Sequence, residues 1–157
     1  MLPAAAWAGA PEELVGLFLQ GCLPFAGRPA ALRAWAKTAT LAPVPDQARA
    51  ALLNGAPGQV FDGSAAGVKL ALVSSDDGIC SAVTDKAAEQ AVTDALEAGF
   101  RQAGVTFRLA IEHDDAKVAS IHDREYLVAR DKQAWRVLAA TVKDDAGGEA
   151  MLTAAPE

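Results

Sequence analysis

The chain has 157 residues, enough for one domain that buries roughly two thirds of its unfolded surface. Its 14 Lys and Arg stand against 20 Asp and Glu, a formal net charge of −6, and no basic cluster is present. That argues against nucleic acid and against polybasic attachment to anionic lipid. No run approaches the roughly 18 to 20 apolar residues that a membrane span needs.

Hydrophobic residues make up 52% of the chain but aromatics only 6%, so the expected core is built of small side chains around a few large anchors. These are Trp7, Phe18, Phe25, Trp35, Phe61, Phe100, Phe107, Tyr126 and Trp135. The first ten residues are Ala-rich and end in Ala8-Gly9-Ala10, which resembles the small-residue end of a secretory signal peptide. They read either as the remnant of an export signal or as a disordered tail.

Pro11 with Glu12 and Glu13 is a good helix start, because proline is tolerated in the first turn and acidic residues complement the helix dipole. The helix is expected to end near Gly21 to Pro24. A second is predicted from Pro29 to about Ala39, with Leu32, Trp35 and Ala36 on one side. A short third fits Asp46 to Asn54, with Asp46 as N-cap and Gly55 beyond the C-cap. After Gly55 the apolar period changes from 3.6 to 2. "QVF" and "GVKLALVS" read as strands, Asp76-Asp77-Gly78 as a hairpin turn, and "ICSAVT" as the returning strand.

A fourth helix is predicted from Asp85 as N-cap to Gly104, with the stripe Ala88, Val92, Leu96, Phe100 and Ala103. The last third reads as an antiparallel meander. In "VTFRLAIEH" the residues Val105, Phe107, Leu109 and Ile111 alternate with Thr106, Arg108, Ala110 and Glu112, as in a half-buried strand. "EYLVAR" and "AWRVLAATV" follow, and "AMLTA" is a weak last strand. The order predicts a single α+β domain from about residue 11 to 157, with N-terminal helices to about 55 and a sheet part from about 58 to 155. The sheet is expected to be antiparallel, joined by a further helix (β-β-α-β-β-β-like), with the helices on one face.

The two cysteines, Cys22 and Cys80, are even in number, which suits an oxidising compartment; a pair of buried free thiols is the alternative. A bridge between them would close a long loop and contribute roughly 4 kcal/mol by the chain-entropy estimate. No Cys-x-x-Cys is present, and neither neighbourhood supplies the cations that lower a thiol pKa, so redox chemistry is not expected.

"FLQGC", "ALRAWAK", "ALLNGAPGQVF" and "LALVSSDDGICSAV" together resemble a family of exported proteobacterial proteins and lipoproteins of unknown function, over about Phe18 to Val83. The family often has Trp where this chain has Phe61. The resemblance implies export to the periplasm or cell envelope, with a lipid anchor on the native precursor as one form, and a Cys22–Cys80 disulfide. It supplies no activity.

His113-Asp114-Asp115 and His122-Asp123 have the composition of a two-histidine, carboxylate metal site. If Asp114 to Ala116 forms the turn, His122 pairs near Arg108 and lies about 16 Å from His113, too far to share an ion. No metal and no other cofactor is therefore expected. The Asp pairs at 76–77, 114–115 and 144–145 read as turn residues, and Gly-x-Ser-x-Gly, phosphate-loop and dinucleotide patterns are absent. Trp35 and Trp135 suit either a ligand platform or the core, and Arg124 and Tyr126 an exposed sheet face used for recognition. The reading favoured is a non-catalytic, exported, disulfide-stapled domain that binds a protein or small ligand. An immunity or inhibitor protein acting through its acidic charge is the more specific version. The competing reading is a small hydrolase using His113 or His122 with a neighbouring Asp.

Overall fold

The computed structural model describes residues 9–144 and 147–157, so Trp7, the leader-like residues 1–8 and Asp145 lie outside the described residues. Four helices pack against one antiparallel sheet, an α+β fold. The elements run α1 (Ala10–Gly21), a 3-10 turn (Leu23–Phe25), α2 (Pro29–Thr38), β1 (Ala42–Pro43), α3 (Asp46–Leu53), β2 (Gly58–Asp62), β3 (Leu70–Ser75) and β4 (Cys80–Ala87). They continue with α4 (Glu89–Gln102), β5 (Thr106–Asp114), β6 (Ile121–Arg130), β7 (Gln133–Val142) and β8 (Gly148–Pro156). The strand order is β1-β2-β3-β4-β8-β7-β6-β5, so the C-terminal strand sits in the middle and joins two meanders.

The inner face of the sheet carries the main core. Leu14 and Phe18 of α1, Leu32 and Ala36 of α2, and Val92, Leu96 and Phe100 of α4 are buried against Leu72, Ala82, Tyr126, Val137, Ala150 and Leu152. Small residues let the helices approach closely. A Cβ on Gly99 of α4 would lie 2.7 Å from Leu19 of α1. Each fully buried large apolar side chain contributes roughly 1.5–3 kcal/mol, so Phe18 and Phe100 are major anchors.

Cys22, directly after α1, and Cys80, the first residue of β4, form a disulfide with Cα atoms 5.3 Å apart. The Asp76-Asp77-Gly78 hairpin fixes where Cys80 falls. Gly78 has φ +96°, a conformation costly for other residues, and a Cβ there would lie 2.8 Å from Gly27. Arg33 of α2 reaches across to Ser74 and to the Asp76 carboxylate at 2.6 Å.

Several expectations are corrected. α3 lies on the opposite, outer face from the other helices, over the cluster Val60, Val73 and Val83. Its N-cap is Pro45, and Asp46 is already helical and pairs with Arg49 at 3.4 Å. Asp85 does not start α4: β4 continues to Ala87 because Ala87 pairs with Gly148 of β8, and the helix begins at Glu89 after an Ala88 N-cap. Val68 belongs to the turn before β3, where Gly67 has φ +78°. The last strand is not weak, since it has six paired residues on each side. β5 is not half-buried: it is an edge strand with a bulge at Ala110, and only Phe107 is partly covered.

The disulfide yields a direct expectation. A Cys22→Ala/Cys80→Ala variant should lose about 4 kcal/mol for a loop spanning 58 residues. At this chain size that corresponds to a Tm lowered by roughly 8–16 °C, readable by calorimetry.

Candidate functional site

The β5–β6 turn is longer than the sequence suggests, which brings His122 between Glu112 and Asp114 and leaves His113 facing the other side of the sheet. Asp115 accepts the backbone N–H groups of Lys117 at 2.8 Å and Val118 at 2.9 Å, an Asx-type cap that moves the reversal to residues 115–120. Asp114 then stands opposite His122, His113 opposite Asp123, and Glu112 opposite Arg124. The expected separation of about 16 Å is thus overturned. Even so, among the described residues no group of three or more His, Cys, Asp or Glu is arranged to hold a metal ion. The carboxylates approach opposite edges of one ring instead of a common point.

His122 Nδ1 lies 3.0 Å from Asp114 Oδ1 and Nε2 lies 2.7 Å from Glu112 Oε1. Because a carboxylate only accepts, both bonds exist together only when both ring nitrogens carry protons. Asp114 and then Glu112 accordingly raise the His122 pKa above its ordinary 6.5. The carboxylates respond in the opposite sense. Glu112 is lowered by His122 first and Arg124 second, and Asp114 by Lys143, whose Nζ is 2.8 Å away, and then by His122. Arg124 forms an ion pair with Glu112 at 3.1 Å, while its Nε is buried with no hydrogen-bond partner among the described residues.

α4 frames this cluster on the inner face. Glu89 at its start accepts from the Thr141 hydroxyl at 2.7 Å, and Glu97, two turns on, accepts from the Tyr126 hydroxyl at 2.9 Å. Tyr126 is 0% exposed, which corrects its placement on an exposed sheet face. Burial first, and then Glu97, push its pKa up to about 12. Phe100, Phe107 and Tyr126 pack with ring centroids 5.1, 5.8 and 6.0 Å apart. An open cleft of about 690 Å³ lies beside the cluster, lined by Ala88, Glu89, Gln90, Lys143 and Asp144, and His122 does not line it.

The other expected residues lie elsewhere. His113 is on the outer face, 4.0 Å from Asp123 and 3.0 Å from the Asp114 carbonyl. Burial, then Asp115, raise the Asp123 pKa. Trp35 packs beside Phe25 with centroids 6.2 Å apart and over Gly21. Trp135 is 4% exposed in the core. Cys22 and Cys80 are 0% and 1% exposed, a buried structural bridge.

Glu112, Glu89, Glu97 and Lys143 were not singled out from the sequence. The available signal was Asp115 two and three residues before Lys117 and Val118, an Asx-turn spacing that shifts the register. Comparison with protein-family models, curated proteins and solved structures finds no match for this chain.

The cluster has a defined pH window. The raised His122 pKa contributes stability that is complete below pH 6.5 and fades as pH rises through the folded-state value. The lowered Glu112 and Asp114 contribute above their ordinary 4.5 and 3.8, and that contribution fades as pH falls through their depressed values. The clamp is therefore strongest between about pH 4.5 and 6.5. Urea midpoints of the wild type should fall more steeply above pH 6.5 than those of His122→Gln. Parallel profiles would show that His122 does not titrate in this linkage.

Proposed function

We propose that this chain is a non-catalytic, exported binding domain of the bacterial periplasm or cell envelope, stapled by its Cys22–Cys80 disulfide, whose partner is a protein with a basic surface. The observation that carries the non-catalytic reading is the double carboxylate clamp on His122. A general base needs one ring nitrogen free to take a proton, and here carboxylates hold both. The ionic groups also neutralise one another on an open hairpin: the side chains of Glu112 and Asp114 are 40% and 50% exposed. That disfavours the hydrolase reading.

A protein partner is favoured over a small ligand by what β5 and its following loop display. Leu109, Ile111 and Val118 are 40%, 46% and 47% exposed, Leu109 on the Tyr126 side of the edge strand and Ile111 on the Glu125 side. Exposed apolar side chains on an edge strand suit a protein surface, and the chain's charge of −6 would steer a basic one in. An immunity or inhibitor role is the specific form of this reading. Export is supported by the buried disulfide, since such bonds persist in oxidising compartments, and by the resemblance to exported proteobacterial proteins and lipoproteins.

Two measurements test the reading. At pH 6.5, where an unperturbed histidine is half protonated, nitrogen-15 NMR should find His122 mostly protonated on both ring nitrogens. A single-protonated ring restores the base and the hydrolase. Intact mass of the protein made with its native upstream sequence, trapped with a thiol-alkylating reagent, should gain two labels only after reduction. Two labels on the denatured protein without reduction would remove the case for export.

A further inference from the structure

The bulge at Ala110 divides β5 into two pieces. Before it, Thr106–Leu109 pair with Tyr126–Ala129, and the Phe107 ring packs against Phe100 and Tyr126. After it, Ile111–Asp114 pair with His122–Glu125 at the edge of the sheet, where β6 is their only neighbour. All four side chains of this second piece are exposed, so little apolar burial holds it down.

What holds it beyond the backbone ladder is ionic, and the charges are divided by element. Both carboxylates, Glu112 and Asp114, belong to the edge strand. Their cations belong to the rest of the sheet: His122 and Arg124 of β6, and Lys143 just past the end of β7. Of these three only the histidine loses its charge near neutral pH. A neutral ring keeps one N–H, so one of its two bonds fails and a carboxylate is left facing a lone pair.

We infer that the end of β5 from Ile111, together with the turn that follows, is a pH-gated flap, latched to the sheet by doubly protonated His122 and opening from β6 more often once that ring is neutral. Ala110 is one hinge, because the ladder is already interrupted there. Ser120, whose carbonyl accepts from the Lys143 amide at 2.8 Å, anchors the other end. Opening takes Glu112 and Asp114 away from His122, so their raising of its pKa belongs to the latched state alone. The latch is therefore complete below pH 6.5 and weakens as pH rises through the latched value. Glu89 also favours the protonated ring, but it sits on α4 and stays in place in either state. Two buried groups gain from opening. Arg124 Nε has no hydrogen-bond partner among the described residues in the latched state. Burial first and Asp115 of the flap second raise the Asp123 pKa, so water and separation both favour its charged form, while His113 and His122 act in the opposite sense. None of this depends on whether the hairpin meets a partner.

Backbone amide exchange read by NMR between about pH 6 and 8, corrected for the intrinsic pH dependence of exchange, tests this. The Asp115 amide reports closure directly, because it donates across to the Ile121 carbonyl at 2.9 Å, and the paired amides of Ile111–Asp114 report with it. Their protection should fall at least threefold over this range while that of Thr106–Leu109 holds. The midpoint of the fall should coincide with the titration of the His122 ring. In His122→Gln the fall should be absent, and in His113→Gln it should persist. Unchanged protection overturns the inference. So does an equal loss on both sides of Ala110, or a midpoint that does not follow the His122 ring, and these wild-type readings decide the matter even where the His122 variant fails to fold.

Discussion

β8 holds the molecule together, because its two backbone ladders are what turn two separate meanders into one sheet. It pairs with β4 from Cys80↔Ala154 to Ala87↔Gly148 and with β7 from Trp135↔Pro156 to Ala140↔Met151. The register is set by burial. Ala150, Leu152 and Ala154 are all 0% exposed on the inner face, whereas Met151 and Thr153 point outward. A slip of one residue would exchange these sets. Everything on the β5–β7 side inherits its orientation from this ladder, including the inward placement of Val137, Val128 and Tyr126 and, through β6, the position of His122.

The ionic cluster forms where helical cover gives out. α4 begins at Glu89, so β6 and β5 extend past its N-terminal end on the inner face. Apolar side chains there would face water, and Thr141, His122, Arg124, Glu112 and Asp114 take their place. The exposure of the carboxylates limits the energy involved, since solvent-exposed ion pairs are typically worth less than about 1 kcal/mol. Its main consequence is geometric. Opposite charges at the cross-strand pairs Asp114↔His122 and Glu112↔Arg124 favour this register of the hairpin, while like charges directly opposite would oppose it.

Local signals in the sequence found the local features. Pro11, Pro29 and the Asp-Asp-Gly turn each mark an element boundary that lies within a residue or so of its predicted place, because they act through φ preferences and nearby hydrogen bonds. The failures share a different cause. Asp85 reads as a helix cap, yet it lies in β4 because β8 pairs with Ala87 beyond it. "AMLTA" reads as weak because half of its pairing is with β4, which is distant in sequence. The alternation in β5 suggests burial, but neither α4 nor a ninth strand covers its outer edge, and the bulge at Ala110 reverses the facing of everything after it. The hairpin register differs from the expected one because of one residue, Asp115, whose carboxylate sets the length of the turn.

The small-residue core explains why the disulfide matters in this chain. Ala36, Ala82, Ala87, Ala139, Ala150 and Ala154 are all buried, and each removes far less apolar surface from water than a Leu or Phe would. In exchange, helices and sheet approach closely enough for Gly21 to sit against Trp35 and Leu72. A domain with such a core starts from a modest hydrophobic gain against the entropy of ordering its chain. The Cys22–Cys80 bridge joins the end of α1 to the start of β4, so it restricts the unfolded chain where the inner helical layer meets the sheet. Against a typical net stability of about 5–15 kcal/mol, roughly 4 kcal/mol is a large share. The same bond leaves the outer face untouched. That face is free to differ from the inner one, with the short helix α3 over Val60, Val73 and Val83.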